Sequence, residues 1–124
     1  MPNEKPSSLS PLSLAFVGDG VYSLMVREHL INRHIKPGEL HKKSVELVNA
    51  TAQAKAIRHI LPQLTEEERT VYRRGRNAKV QIPKSATQAD YHSATGLEAL
   101  LGYLYLQNQK ERLLEIFSLI IAAF

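Results

Sequence analysis

The stretch LSLAFVGDGVYSLMV, residues 12–26, restricts the fold more than any other part of the chain. Apolar residues recur at Leu12, Ala15, Phe16, Val21, Leu24, Met25 and Leu30, a spacing that predicts a helix from just after Pro11 to about residue 33. The helix is apolar around most of its girth. Such a helix lies at the centre of a core or in a subunit interface, not half in water. Near its middle stands one carboxylate, Asp19, flanked by Gly18 and Gly20. No Lys or Arg lies within one helical turn of it on either side.

The remaining periodicity is also helical. IKPGE breaks the chain after the first helix. From residue 38 to 61, Leu40, Val45, Val48, Ala52, Ala56 and Ile60 predict one helix or two, because VNATAQ is a weak former, and Pro62 ends that run. TEEE at residues 65–68 is a capping box, Thr65 and Glu68 each able to satisfy the other's backbone N–H. It opens a helix expected to reach about Arg74, with Gly75 as its C-cap. RNAKVQIPKSA reads as a basic loop, and Gly75 with that loop is expected to let backbone N–H groups approach phosphates. A long helix over about 87–107 and an amphipathic one over about 109–123 complete the pattern. Tyr103 and Tyr105 read as packing residues. β-branched alternation is absent, so the fold expected is all-α.

The chain has 124 residues, enough for one domain with a real core, expected to span 1–124 with a loose stretch over 1–10. There is no cysteine, which excludes disulfides, thiolate metal sites and a cysteine nucleophile. The N-terminus lacks the order of a signal peptide, and no apolar run is long enough to span a bilayer. The expectation is a soluble, cytoplasmic protein without a membrane partner. Sixteen Lys and Arg against twelve Asp and Glu give a net charge of +4, unevenly distributed. Residues 69–84 hold Arg69, Arg73, Arg74, Arg76, Lys79 and Lys84 and no acid. A basic block of this kind suits a polyanion. Lys42 and Lys43 form a smaller second patch.

Glu98 repeats the puzzle of Asp19. It lies in SATGLEALLGYLYL, with Ala94, Thr95, Leu101 and Gly102 as its helical neighbours. Both acids sit among small residues, Gly18 and Gly20 for one, Gly96, Ala99 and Gly102 for the other, so the two helices can cross closely there. A carboxylate in apolar surroundings needs compensation. A distant Arg or Lys can fold in, the acid can take up a proton, or a hard divalent cation such as Mg²⁺ can sit between the two. Two such acids beside a basic block favour the cation. Metal plus polyanion suggests phosphodiester cleavage, in which Mg²⁺ activates water and stabilises the leaving oxygen.

The same residues carry a family likeness. AFVGDGVYSLMV resembles the signature helix of ribonuclease III, and TGLEALLGYLYL resembles that family's second acidic helix. With RRGRNAK between them, the chain most resembles the short Mini-III branch, which lacks a separate double-stranded-RNA-binding domain. The resemblance implies an all-α, two-fold homodimer and a Mg²⁺-dependent endoribonuclease. Duplex RNA would lie in the shared groove and be cut to leave a 5′-phosphate and a 3′-hydroxyl. It implies maturation of 23S ribosomal RNA from the stem joining its ends, and leaves open whether a ribosomal protein presents that stem. Asp19 and Glu98 match the metal-binding, catalytic acids. Other acids usual in the family fall at Leu12, Ala15, about Pro37 and Thr95, none of them acidic here, so the metal count is open. Thr95 is expected to support the cation's waters from the next layer out. Arg73, Arg74, Arg76, Asn77, Lys79 and Lys84 are the expected RNA contacts. The alternatives are a non-catalytic helical RNA-binding or ribosome-assembly protein, and a helical protein-interaction module.

Overall fold

In a computed structural model, residues 5–84 and 87–124 are described; expectations for residues 1–4, and for 85–86 of the basic loop, lie outside them. Among these residues six α-helices follow in order: α1 (Pro11–Asn32), α2 (Pro37–Val48), α3 (Ala50–Ile60), α4 (Glu66–Arg76), α5 (Gln88–Leu106) and α6 (Lys110–Ile121). Short 3₁₀ turns lie at Pro6–Ser8 and Leu61–Gln63. No strand occurs among the described residues, and the fold is all-α as expected. No helix among them is long and apolar enough to cross a membrane.

The helix ends follow local chemistry. Ser10 caps α1 by accepting from the Ser13 N–H, with Pro11 in the first turn where its missing N–H costs nothing. The run over 38–61 is two helices. Asn49 takes an extended conformation, and its side chain accepts from the Ala52 N–H to start α3. Thr65 and Glu68 form the complete capping box of α4.

The centre of the molecule is α5, not α1. From Ala94 to Leu104 nearly every α5 residue is buried, and α1, α3 and α4 all pack on it. On α1 the apolar girth divides into two stripes. Leu14, Gly18, Tyr22, Val26 and Leu30 face the core at four-residue spacing. Leu12, Phe16, Leu24 and Ile31 face outward, Phe16 being 82% exposed.

Glycines set how closely these helices meet. A Cβ on Gly18 would lie 1.6 Å from the Glu98 carbonyl oxygen, and one on Gly102 would lie 2.0 Å from the Leu14 carbonyl oxygen. The backbones of α1 and α5 therefore touch. Gly96 and Ala99, read as part of the same crossing, instead meet α4. A Cβ on Gly75 would come within 2.7 Å of the Ala99 Cβ, and one on Gly96 would strike the Tyr72 ring at 2.7 Å. Gly20 faces open space. Gly75 is accordingly no C-cap: α4 continues through it to Arg76, and Asn77 is the C-cap. Backbone contact with α5 holds the chain helical where its sequence suggested a stop. Of the two tyrosines read as packing residues, Tyr103 is buried, donating to Glu67 and accepting 2.6 Å from Gln107 Nε2, whereas Tyr105 lies at the surface.

Candidate active site

The α1–α5 crossing decides where the two unexplained carboxylates go. Gly18 rests on the backbone of Glu98, so Asp19, the next residue, is carried to the Glu98 side chain. The two acids meet without a cation between their helices: neither forms an ion pair with any Lys, Arg or His among the described residues. Their environments differ. Asp19 is exposed, contrary to the enclosed setting its apolar sequence suggested, because it lies at the edge of the outward stripe of α1. Glu98 is mostly buried. Burial pushes the Glu98 carboxyl up from 4.5 to about 8, and the facing Asp19 carboxylate adds to the rise through its charge and as a hydrogen-bonding neighbour.

One group opposes that rise. Gln53, in the first turns of α3, brings its Nε2 to 3.4 Å from Glu98 Oε2. The same Nε2 donates at 2.8 Å to the Val48 carbonyl at the end of α2. One turn beyond Asp19, the buried Tyr22 hydroxyl donates at 2.8 Å to the preceding α2 carbonyl, that of Leu47. Burial and the charge of Glu98 hold that phenol protonated, well above its usual range. Thus two side chains satisfy the final carbonyls of α2, which its own helix leaves unpaired. Thr95, one turn before Glu98, is buried, and its hydroxyl donates to the Tyr91 carbonyl of its own helix at 2.9 Å.

The basic residues lie alongside. Gly75 packs against Thr95, Gly96 and Ala99, so the last turn of α4 lies on the same stretch of α5 that carries Glu98. Arg73, Arg74, Arg76, Asn77, Lys79 and Lys84 are all exposed. None of these five cations forms an ion pair among the described residues. Arg76 stacks over the Tyr72 ring, its Cζ 5.6 Å from the centroid, and reaches Asn77 Oδ1 at 3.4 Å. Arg69 is different. It pairs with Glu66 and donates to the Leu61 and Pro62 carbonyls, so it ties α4 to the preceding turn. Lys43, in the second patch, pairs with Glu46 at 3.9 Å. With Gly75 buried against α5, that stretch of backbone is closed to phosphate; the side chains around it remain.

A Ribonuclease III domain matches residues 12–109, which contain both acids and the basic turn. The chain belongs to the Mini-ribonuclease 3 branch of the ribonuclease III family. It is 50% identical over 113 residues to the Mini-ribonuclease 3 of Symbiobacterium thermophilum, covering 90% of this chain and 87% of that protein. The Mini-ribonuclease 3 of Brevibacillus brevis is 49% identical over 113 residues, covering 90% and 84%. A Fusobacterium nucleatum protein of known crystal structure superposes with a TM-score of 0.86 at 31% identity, covering 97% of this chain and 98% of that one. The chain is therefore an endoribonuclease of the ribonuclease III type.

The site has few acids. No group of three or more His, Asp or Glu that could hold a metal ion occurs among the described residues. Sequence reasoning found Asp19 and Glu98 through their isolation from cations. It missed Gln53. That side chain is uncharged, and its place at the site depends on where α2 ends, which the weak VNATAQ segment leaves open.

Proposed function

We propose that the protein is a Mg²⁺-dependent endoribonuclease specific for double-stranded RNA, leaving 5′-phosphate and 3′-hydroxyl ends, and that it matures 23S ribosomal RNA in the cytoplasm. The observation that carries this reading is the meeting of Asp19 and Glu98 at a glycine crossing, on the stretch of α5 against which the basic turn of α4 packs. Two facing carboxylates with no cationic side chain paired to them among the described residues suit a hard divalent cation, which is typically held by one or two carboxylates with water and substrate phosphate. Asp19 and Glu98 would hold it. When bound, such an ion supplies Lewis-acid stabilisation of the phosphodiester and activates water for attack. Asp19, the exposed member, faces the substrate side; Glu98, anchored beneath it, fixes the depth of the site. Thr95 supports the turn that carries Glu98.

In this reading residues 1–124 act as a single catalytic domain. The outward stripe of Leu12, Phe16 and Leu24 on α1 then supports a two-fold homodimer, because large apolar residues grouped on one helix face mark an interface. Asp19 borders that stripe, so dimerisation would bring two sites to one duplex. A-form RNA presents phosphates and 2′-hydroxyls across a shallow minor groove and is recognised by shape. Arg73, Arg74, Arg76, Asn77, Lys79 and Lys84 supply the positive surface for it.

Incubating end-labelled duplex RNA with the protein, with and without Mg²⁺, tests the reading. Wild-type protein is expected to cut only with Mg²⁺ and only the duplex form. Asp19→Asn, at an exposed position, is expected to keep the fold and RNA binding and to lose cleavage. A gel shift without cutting in Mg²⁺ would make the protein a non-catalytic RNA binder, and undiminished turnover by Asp19→Asn would remove the mechanism.

A further inference from the structure

Beside the two acids lies a side chain whose contacts exceed what stability requires. Gln53 is 3% exposed on α3, and its Nε2 donates to the Val48 carbonyl at 2.8 Å. Its Oε1 is buried with no hydrogen-bond partner among the described residues. Rotating the amide would set oxygen against the Val48 carbonyl, so the observed orientation is fixed. A buried acceptor left unpaired is unfavourable, and a leucine or methionine would fill the same volume without one. Capping α2 accounts for one N–H of this amide. The other is directed at Glu98 Oε2, 3.4 Å away. Hydrogen bonds at active sites are often long before ligand binds and shorten afterwards.

We propose that Gln53 is a positioning residue for the metal site. It holds one carboxylate oxygen of Glu98 by hydrogen bonding and thereby turns the other toward a divalent cation shared with Asp19. The inference rests on the cation reading above and deepens it. Three helices then build the site: α1 brings Asp19, α5 brings Glu98, and α3 sets the angle at which Glu98 presents itself. Partners that orient a metal-binding carboxylate commonly change metal affinity by about 10- to 100-fold when removed.

The test uses full-length protein without RNA and Mn²⁺ alone as the probe, its binding followed by electron paramagnetic resonance. Gln53→Leu and Gln53→Met are the variants, methionine preserving the length of the side chain should leucine fail to fold. Thermal unfolding in chelator verifies that each is folded. Tyr22→Phe is the control for a purely structural effect, because it removes the matching cap on the Leu47 carbonyl. Asp19→Asn is the control for the site itself. The expected result is Mn²⁺ binding weakened by about tenfold or more in the Gln53 variants, kept at the wild-type level in Tyr22→Phe and lost in Asp19→Asn. Wild-type affinity in the folded Gln53 variants overturns the proposal and leaves the metal site standing. An equal loss in Tyr22→Phe also overturns it, since the effect then belongs to the end of α2. If wild-type protein and Asp19→Asn bind Mn²⁺ alike, the cation reading fails and the proposal with it.

Discussion

Replacing Glu98 by glutamine is expected to abolish cleavage and, above neutral pH, to make the metal-free protein more stable. In the unfolded chain this carboxyl loses its proton near 4.5; in the fold it does so only near 8. Between those values the folded state binds the extra proton, so stability falls as pH rises across that window. At 1.36 kcal/mol per pH unit the full displacement corresponds to on the order of 5 kcal/mol. Solvent reaches part of the side chain, and about 2 kcal/mol is the magnitude we expect to survive. Glutamine retains the shape and the hydrogen bond from Gln53 but carries no charge. At pH 9 Glu98→Gln should therefore unfold on the order of 5–10 °C above wild type, and at pH 4.5 the two should coincide. The assay is thermal denaturation by circular dichroism in chelator at several pH values, reading the difference between the two proteins so that histidines cancel. Saturating Mg²⁺ should raise the wild-type midpoint at pH 9 and leave the variant unmoved. A variant no more stable than wild type at pH 9, or a difference independent of pH, would refute the account of Glu98 as a buried acid held against Asp19.

Three further outcomes follow from other parts of the molecule. Glu68 is 4% exposed; its burial would raise its carboxyl, but Arg112, bonding both oxygens at 2.8 Å, and the Thr65 backbone together bring it below its ordinary value. Arg112→Ala leaves that charge buried without its partner and should destabilise the fold by about 3–5 kcal/mol in urea denaturation. Phe16→Glu sets a charge in the outward stripe of α1 and, on the proposed dimer, should yield monomer by light scattering while the helical circular dichroism is retained; an unchanged mass would refute that interface. Arg74→Ala should weaken duplex RNA binding and reduce the slope of log K against log salt by about 1 for each contacting subunit.

Much of this molecule is readable from residues alone, for reasons that are local. Thr65 announces a helix start through its own chemistry, and the structure uses it as the N-cap of α4; the starts expected just after Pro11 and near residue 87 are found as well, with Ser10 and Thr87 as N-caps. Asp19 and Glu98 are visible because charges without neighbouring counter-charges are conspicuous in apolar segments. The misreadings arise where a tertiary contact overrides a local preference. Gly75 has the composition of a helix stop, yet its missing side chain serves contact with α5. Asp19 has the neighbours of a buried residue, yet it faces outward because the apolar residues around it belong partly to an exposed stripe. Gln53 gave no signal because an amide acquires its role from the two oxygens that happen to face it.

The glycine contacts on both sides of α5 have a consequence for how substrate choice can change. Gly18 and Gly102 join α5 to α1, and Gly75 and Gly96 join it to α4, main chain against main chain or ring. The gap between the proposed metal site and the arginines of α4 is thus a fixed gauge, set by glycines against main chain, the Tyr72 ring and the Ala99 Cβ, with no long flexible side chain to widen or narrow it. Variation in the reach of the enzyme along a duplex must then arise in the connection after Asn77, which can lengthen or shorten while both helix crossings stay as they are.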